Sequence, residues 1–160
     1  MKLIKAMHGK TKANAKIAIV YSLFNQFITG RLLEGSLQAL NQHGVTSDNI
    51  TVIEVPGAIE IPLACQQAIT HLNVDAVIAL GCVIRGETSH YDYVCEQVSQ
   101  GCQHLALSTS TPLIFGVLTT ENEAQALDRV GGRHGHKGIE AAEAALMMID
   151  IMAQIQKVGV

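Results

Sequence analysis

Four short runs of the chain are apolar at both odd and even positions, and the stretches between them repeat their apolar residues every three or four places. KIAIVYSLF from Lys16, TVIEV from Thr51, DAVIALG from Asp75 and PLIFGVL from Pro112 read as strands covered on both faces, as in a parallel sheet. Leu33, Leu37 and Leu40 share one face of a first helix, and Gly44 supplies its stop. Ile61 to Leu72 and Tyr91 to Leu107 make the second and third helices. This alternation predicts a doubly wound α/β domain with right-handed crossovers. One domain spans residues 1–160, with residues 1–15 as an N-terminal arm.

The last segment, IEAAEAALMMIDIMAQIQK, has a different pattern. Glu140, Glu143, Asp150, Gln154 and Lys157 recur at spacings of three, four or seven and make one narrow polar stripe, with Ala, Leu, Met and Ile around most of the remaining circumference. One sheet face cannot cover that much apolar surface, so half of it should pack on the chain's own core and part of it on another subunit.

Composition narrows the function classes. The net charge of −3 and the scattered Lys and Arg residues provide no basic footprint for nucleic acid. The N-terminus is basic, but His8, Gly9, Lys10 and Lys12 interrupt any apolar signal region, and the later apolar runs are too short to span a bilayer. The expectation is a soluble cytoplasmic protein with no membrane partner. Cys65, Cys82, Cys95 and Cys102 form no C-x-x-C pair and sit in apolar contexts, which predicts reduced thiols rather than a disulfide framework.

In open α/β sheets ligands bind beyond the carboxyl ends of the strands. The unusual residues of this chain fall there four times: Phe24-Asn25, then VPGAIE from Val55, then GCVIRGETSHYDYV from Gly81, then TTEN from Thr119. Gly86, Glu87 and Thr88 directly precede a helix, so free N–H groups and a hydroxyl there suit a phosphate. Simple capping by Thr88 or Ser89 explains the same residues. His90 has the intrinsic pKa for proton transfer, although a lone histidine is more often an ordinary surface or core side chain. Arg129 and Lys137 suit further phosphate contacts or a solvated helix face. Glu60 reads either as a ligand contact or as an N-terminal helix carboxylate. Phe24 and Phe115 read either as walls of a planar-ligand slot or as packing.

Several chemistries lack their residues. GGRHGHKG, residues 131–138, has neither the spacing of a P-loop nor a Ser or Thr after Lys137, and His134 with His136 has no Cys or carboxylate at ligand spacing, so no metal is expected. No G-x-S-x-G elbow or G-x-G-x-x-G fingerprint is present. Cys82, at an apolar strand end, is poorly placed to become a thiolate nucleophile for His90 to serve.

Taken together, SLFNQFITGRLLEGSL, VPGAIEIP, ALGCVIRGETSHYDYV, FGVLTTENEAQALDR and GHKGIEAAEAAL resemble the 6,7-dimethyl-8-ribityllumazine synthase family of riboflavin biosynthesis, in order and without an evident gap from about Lys16 onward. The resemblance implies a flavodoxin-like four-stranded parallel sheet with helices on both faces. It also implies condensation of 5-amino-6-(D-ribitylamino)uracil with 3,4-dihydroxy-2-butanone 4-phosphate, releasing phosphate and water, without cofactor or metal. On this chain Phe24, Ala58, Ile59, Glu60, Cys82, Val83, Ile84 and Phe115 would hold the pyrimidine and its ribityl chain. Glu87, Thr88 and Arg129 would bind the phosphate, and His90 would be the catalytic proton donor.

The resemblance further implies that Phe115 and Arg129 come from a neighbouring subunit of a homo-oligomer. Related enzymes are pentamers or icosahedral shells of sixty subunits, and riboflavin synthase is a candidate partner. The stretch from Arg129 to Lys137 lacks the insertion of family members that stop at the pentamer, which favours the shell. His136 stands where the family usually has Asn, which leaves the role of Lys137 open. The competing readings are a non-catalytic lumazine- or flavin-binding relative and an electron-transfer flavodoxin. Joint retention of Phe24, Glu60, Thr88, His90 and Arg129 speaks against the first, and the lack of a hydroxyl-rich loop after the first strand against the second.

Overall fold

A computed structural model describes residues 1–7 and 14–159; the interruptions at His8, Gly9, Lys10 and Lys12 lie outside the described residues. Four strands, β1 (Ile17–Ser22), β2 (Ile50–Val55), β3 (Ala76–Ile84) and β4 (Leu113–Thr120), pair in parallel in the order β2-β1-β3-β4. The long helices are α1 (Gln26–Gln42), α2 (Ile61–His71) and α3 (His90–Thr109). A short α4 (Glu123–Leu127) and the antiparallel β5 (Val130–Gly132) and β6 (Gly135–His136) then lead into α5 (Lys137–Val158).

Strand side chains alternate between two cores, as the pleat requires. Ile17, Ile19, Ile78 and Leu80 point to the face covered by α1 and α5, where they meet Ile28, Leu32, Ala142 and Leu146. Ala18, Val20, Val77 and Ala79 point to the face covered by α2 and α3, where they meet Ile61, Cys65, Val98 and Cys102. The central strands therefore have the two-sided apolar character that the pattern predicted. At β2 the expectation fails, because Thr51, Val52 and Glu54 are exposed: this is an edge strand that the chain's own helices leave partly uncovered.

Other boundaries also shift. The first strand stops at Ser22 rather than running through Phe24, because Asn25 takes a left-handed backbone (φ 62°) that turns the chain into α1. β3 and β4 run longer than read, since their ladder continues to Ile84 opposite Thr120. Cys82, Val83, Ile84, Thr119 and Thr120 are thus strand residues, not turn residues. Gly81 does not break β3, because the space beside it is filled by Ile61, Ser22 and Val117. In α1 the buried stripe is Ile28, Leu32, Gly35, Ser36, Ala39 and Leu40, with Leu33 and Leu37 on its flank. Gly44 ends that helix as read, with φ 83° and its N–H donating to Asn41 O.

Helix α5 buries Gly138, Ala141, Ala142, Ala145, Leu146 and Ile149 on the chain's own core and leaves Ile155 and Val158 exposed. Its first turn approaches α1 closely. A Cβ at Gly138 would lie 2.2 Å from Leu32 O, and Ser36 Oγ donates to Gly138 O at 2.7 Å. Gly138→Ala should therefore cost about 1–3 kcal/mol, because the clash with a backbone oxygen outweighs the helix-propensity gain of about 1 kcal/mol. Gly30→Ala, in the same helix pair but with nothing within 4 Å of its Cβ position, should instead raise stability by about 0.5–1 kcal/mol. Urea unfolding of the two variants measures both shifts.

Candidate active site

The strand order reverses direction at β1 and β3. The chain leaves β1 for α1 on one face and leaves β3 for α3 on the other, so their adjacent carboxyl ends open into a crevice. Backbone and side-chain bonds hold its rim. Leu23 N–H donates to Val55 O at 2.8 Å and Phe24 N–H to Pro56 O at 3.1 Å, so the turn after β1 is tied to the turn after β2. Asn25 Nδ2 donates to Cys82 O at 2.9 Å across the crevice. The main-chain carbonyl of Asn25 also accepts from Ile28 and Thr29 N–H, which starts α1.

A cleft of about 370 Å³ lies here, lined by Phe24, Ala58, Ile59, Glu60, Cys82, Val83, Ile84, Thr88 and His90. Nine positions named from sequence, drawn from three separate stretches, thus share one cavity. Phe24 is 72% exposed, which packing alone does not explain for a phenylalanine at a cavity mouth. Glu60 ends a 3₁₀ turn, Ala58–Glu60, that leads into α2, and Pro62 occupies the first turn of that helix, where its missing N–H costs nothing.

At the start of α3 the two expected capping residues separate. The Ser89 hydroxyl makes no capping bond, while Thr88 Oγ1 accepts a 3.3 Å hydrogen bond from His90 N–H. Gly86 lines the cleft, and Glu87 is exposed outside its lining. Arg85, beside this turn, is engaged elsewhere: Nε bonds Glu121 at 2.7 Å, Nη2 lies 3.4 Å from Asp92, and the guanidinium stacks 4.3 Å from the Tyr91 ring centroid. It fastens the turn after β3 to that after β4. Those carboxylates, Glu121 foremost, hold the Arg85 pKa above its ordinary value.

Phe115, Arg129 and Lys137 stand apart from this cleft within one chain. They line a second hollow along the β4 edge, together with Glu140, Ala141 and Ala144. Arg129 Nη1 donates to Gln125 O at 2.8 Å, and Lys137 Nζ pairs with Glu140 at 2.6 Å. Of residues 131–138, Lys137 and Gly138 begin α5, and those up to His136 lie in the β5–β6 hairpin, closed where His134 N–H donates to Asp128 O and Lys137 N–H to Arg129 O. Gly131 and Gly135 take the positive φ angles it needs.

Sequence reasoning missed Tyr91 and Val94 as cleft residues. Val94, four residues after His90, shares its face of α3 and was available from helical spacing, whereas Tyr91, directly after His90, was not. Burial pushes the Tyr91 phenol up, with Cys95 beside it. Burial likewise pushes the Cys82 thiol up to about 12. Cys65 is raised by its hydrogen bond with Cys102 and by burial in the α2–α3 contact. Among the described residues no cluster of His, Cys, Asp and Glu could hold a metal ion, and no helix is long and apolar enough to cross a membrane.

A four-stranded parallel sheet wound on both faces, with one shaped cleft at its switch point and an imidazole at the adjoining helix start, defines a doubly wound α/β protein of the small-molecule-binding kind. The comparisons with known proteins refine that class. The profile of the 6,7-dimethyl-8-ribityllumazine synthase family matches residues 14–153, and the chain belongs to this family. It is therefore a transferase of riboflavin biosynthesis, and the flavodoxin-like sheet is the one the resemblance implied. Among solved structures, a sigma-54 interaction domain protein from Enterococcus faecalis is similar at 12% sequence identity over 91% of this chain and 93% of that one, with a TM-score of 0.35. At that score the likeness bears on neither fold nor function.

With a thiol pKa near 12, only about one Cys82 in 10⁴ is ionised at pH 8, and the thiolate is the reactive form. Iodoacetamide at pH 8 should leave Cys82 unlabelled in the folded protein and label it readily in urea, as peptide mass mapping reads out. Rapid labelling in the folded state would restore the nucleophile reading.

Proposed function

We propose that the cleft condenses 5-amino-6-(D-ribitylamino)uracil with 3,4-dihydroxy-2-butanone 4-phosphate, in a cytoplasmic homo-oligomer. The observation that carries this reading is the meeting of Phe24, Glu60, the Cys82–Ile84 strand end, Thr88 and His90 in one cavity of a chain of this family. Phe24 stacks on the pyrimidine, and Ala58, Ile59 and Glu60 receive the ribityl hydroxyls. Cys82, Val83 and Ile84 contribute backbone groups and apolar walls. The butanone phosphate sits at the start of α3, on Gly86 and Thr88 with Glu87 alongside, where the helix dipole favours an anion.

Each chemical step in this reading makes or breaks a bond with the help of a proton transfer around bound charge. The 5-amino group adds to the ketone and one water leaves to give an imine. The C–O bond to phosphate breaks, and the ribitylamino nitrogen closes the ring on the remaining carbonyl with loss of a second water. His90, at the N-terminus of α3 beside the phosphate turn, gives and takes those protons. Arg85 does not serve as the phosphate cation in this scheme, because Glu121 and Asp92 already engage it. The cation comes from a neighbour's Arg129, with Lys137 behind it and Phe115 closing the pyrimidine slot. In one chain these three line a hollow separate from the cleft, and Leu107 is 72% and Phe115 43% exposed along the same uncovered edge. An open apolar strip next to incomplete binding groups is what a shared site requires.

The pure protein given both substrates should accumulate lumazine absorbance. His90→Ala should slow that growth by about 10²–10⁴-fold, the reach of one general acid-base group, without abolishing it, since holding two reactants together contributes independently. Turnover equal to the parent would remove His90 from the mechanism.

Light scattering addresses the assembly. A sixty-subunit shell is the expected particle; a pentamer would refute the shell and keep the shared site, whereas a particle near 17.1 kDa would sink the shared site itself.

A further inference from the structure

The hairpin that follows Arg129 is anchored to the rest of the fold by Val130, buried in the core shared by α1 and α5, and by the His136 ring. The ring lies on α1 at Gly35, so closely that a Cβ at residue 35 would come within 2.1 Å of His136 Cε1 and 2.6 Å of Nδ1. From this seat Nδ1 accepts the Ile139 N–H at 3.4 Å and caps α5. The His136 backbone pairs with Val130, the residue after Arg129, and the next residue, Lys137, donates its N–H to Arg129 O at 2.8 Å.

A physical chain therefore runs from a bare patch of α1, through one imidazole, to the backbone of Arg129. Val130 fixes the base of the hairpin in the core, and beyond it the tip is open. Gly131, Gly132, Arg133, His134 and Gly135 are all exposed, and the Arg129 guanidinium bonds a carbonyl of its own preceding helix. The absence of a side chain at Gly35 is what admits a residue as large as histidine at the cap.

We propose that His136 is a positioning residue for the phosphate clamp: seated over Gly35, it sets where Arg129 and Lys137 are presented to the neighbouring cleft. This rests on the reading of Arg129 as the phosphate cation. The cap acceptor, not the imidazole as such, is the required feature. The substitution His136→Asn would keep an acceptor of short reach, as asparagine is among the best N-terminal caps, while His136→Ala would leave the Ile139 N–H without one.

The test compares His136→Ala, His136→Asn, Gly35→Ala and the double variant G35A/H136N, with Arg129→Ala as reference. Two readouts are taken on the assembled protein: KM for each substrate, and amide hydrogen exchange over residues 129–139. His136→Ala and Gly35→Ala should each raise KM for the phosphorylated ketone roughly tenfold, the scale of a small misplacement of a binding group, and leave KM for the pyrimidine within about twofold. Both should speed exchange at Lys137 and Ile139. His136→Asn should stay near the parent in both readouts, and G35A/H136N should recover most of what Gly35→Ala loses, because the smaller cap leaves room for the added methyl.

Parental exchange in both His136→Ala and Gly35→Ala would overturn the proposal. So would equal movement of both KM values, or a double variant no better than Gly35→Ala alone. Should Arg129→Ala leave the ketone KM unchanged, the assignment of Arg129 falls, and the proposal falls with it as a statement about the clamp. The exchange data would still report separately whether His136 seats the hairpin.

Discussion

Asn25 is the residue on which the cleft's geometry depends. Its left-handed backbone ends β1, its carbonyl begins α1, and its side-chain amide bridges to Cys82 O on the next strand. Asparagine tolerates that backbone region better than other residues with a side chain, and its amide supplies the donor that glycine would lack. The β1–β3 ladder ends at Tyr21 opposite Leu80, so this bond carries the link between the two strand ends beyond it. Phe24 precedes this turn directly, so the cavity mouth is set by the same turn.

In the proposed scheme the site divides into a rigid half and a borrowed half. The rigid half is built on strand ends and helix starts tied by short hydrogen bonds, from Leu23 and Phe24 to the β2 turn and from Arg85 to Glu121. Preorganised groups of this kind hold a reacting pair without reordering at the moment of reaction. The borrowed half, Phe115 with Arg129 and Lys137, sits on an edge strand and a glycine-rich hairpin. Its place in a cleft depends on a second copy of the chain, so association and catalysis are one requirement in the proposed scheme.

The helical layers differ in the same sense. α1 and α5 meet at Gly138, where a missing side chain lets the Leu32 backbone approach, at Gly35, which receives the His136 ring, and at Ser36, whose hydroxyl binds a carbonyl. That contact fixes the hairpin preceding α5. The opposite layer joins α2 to α3 through Cys65, Val98 and Cys102, a soft apolar contact whose thiols are buried and take no part in the proposed chemistry.

The sequence by itself determined the four-stranded doubly wound plan, because strands apolar on both faces and helices apolar on one leave few ways to bury both. It also determined which residues crowd at the strand ends, since those positions follow from chain order once the plan is known. Phe24, Glu60, Cys82 and His90 were legible for that reason. Only the tertiary structure decided that β3 and β4 run on through Ile84 and Thr120, because ladder bonds between distant segments override the local signal of Gly81. Only it decided that Tyr91 walls the cleft, that residues 130–136 form a hairpin, and that Arg129 lies away from its own chain's cavity. Those outcomes depend on which helix faces which strand and on how closely two backbones pass at a bare glycine, and neither distance is written in any local stretch of residues.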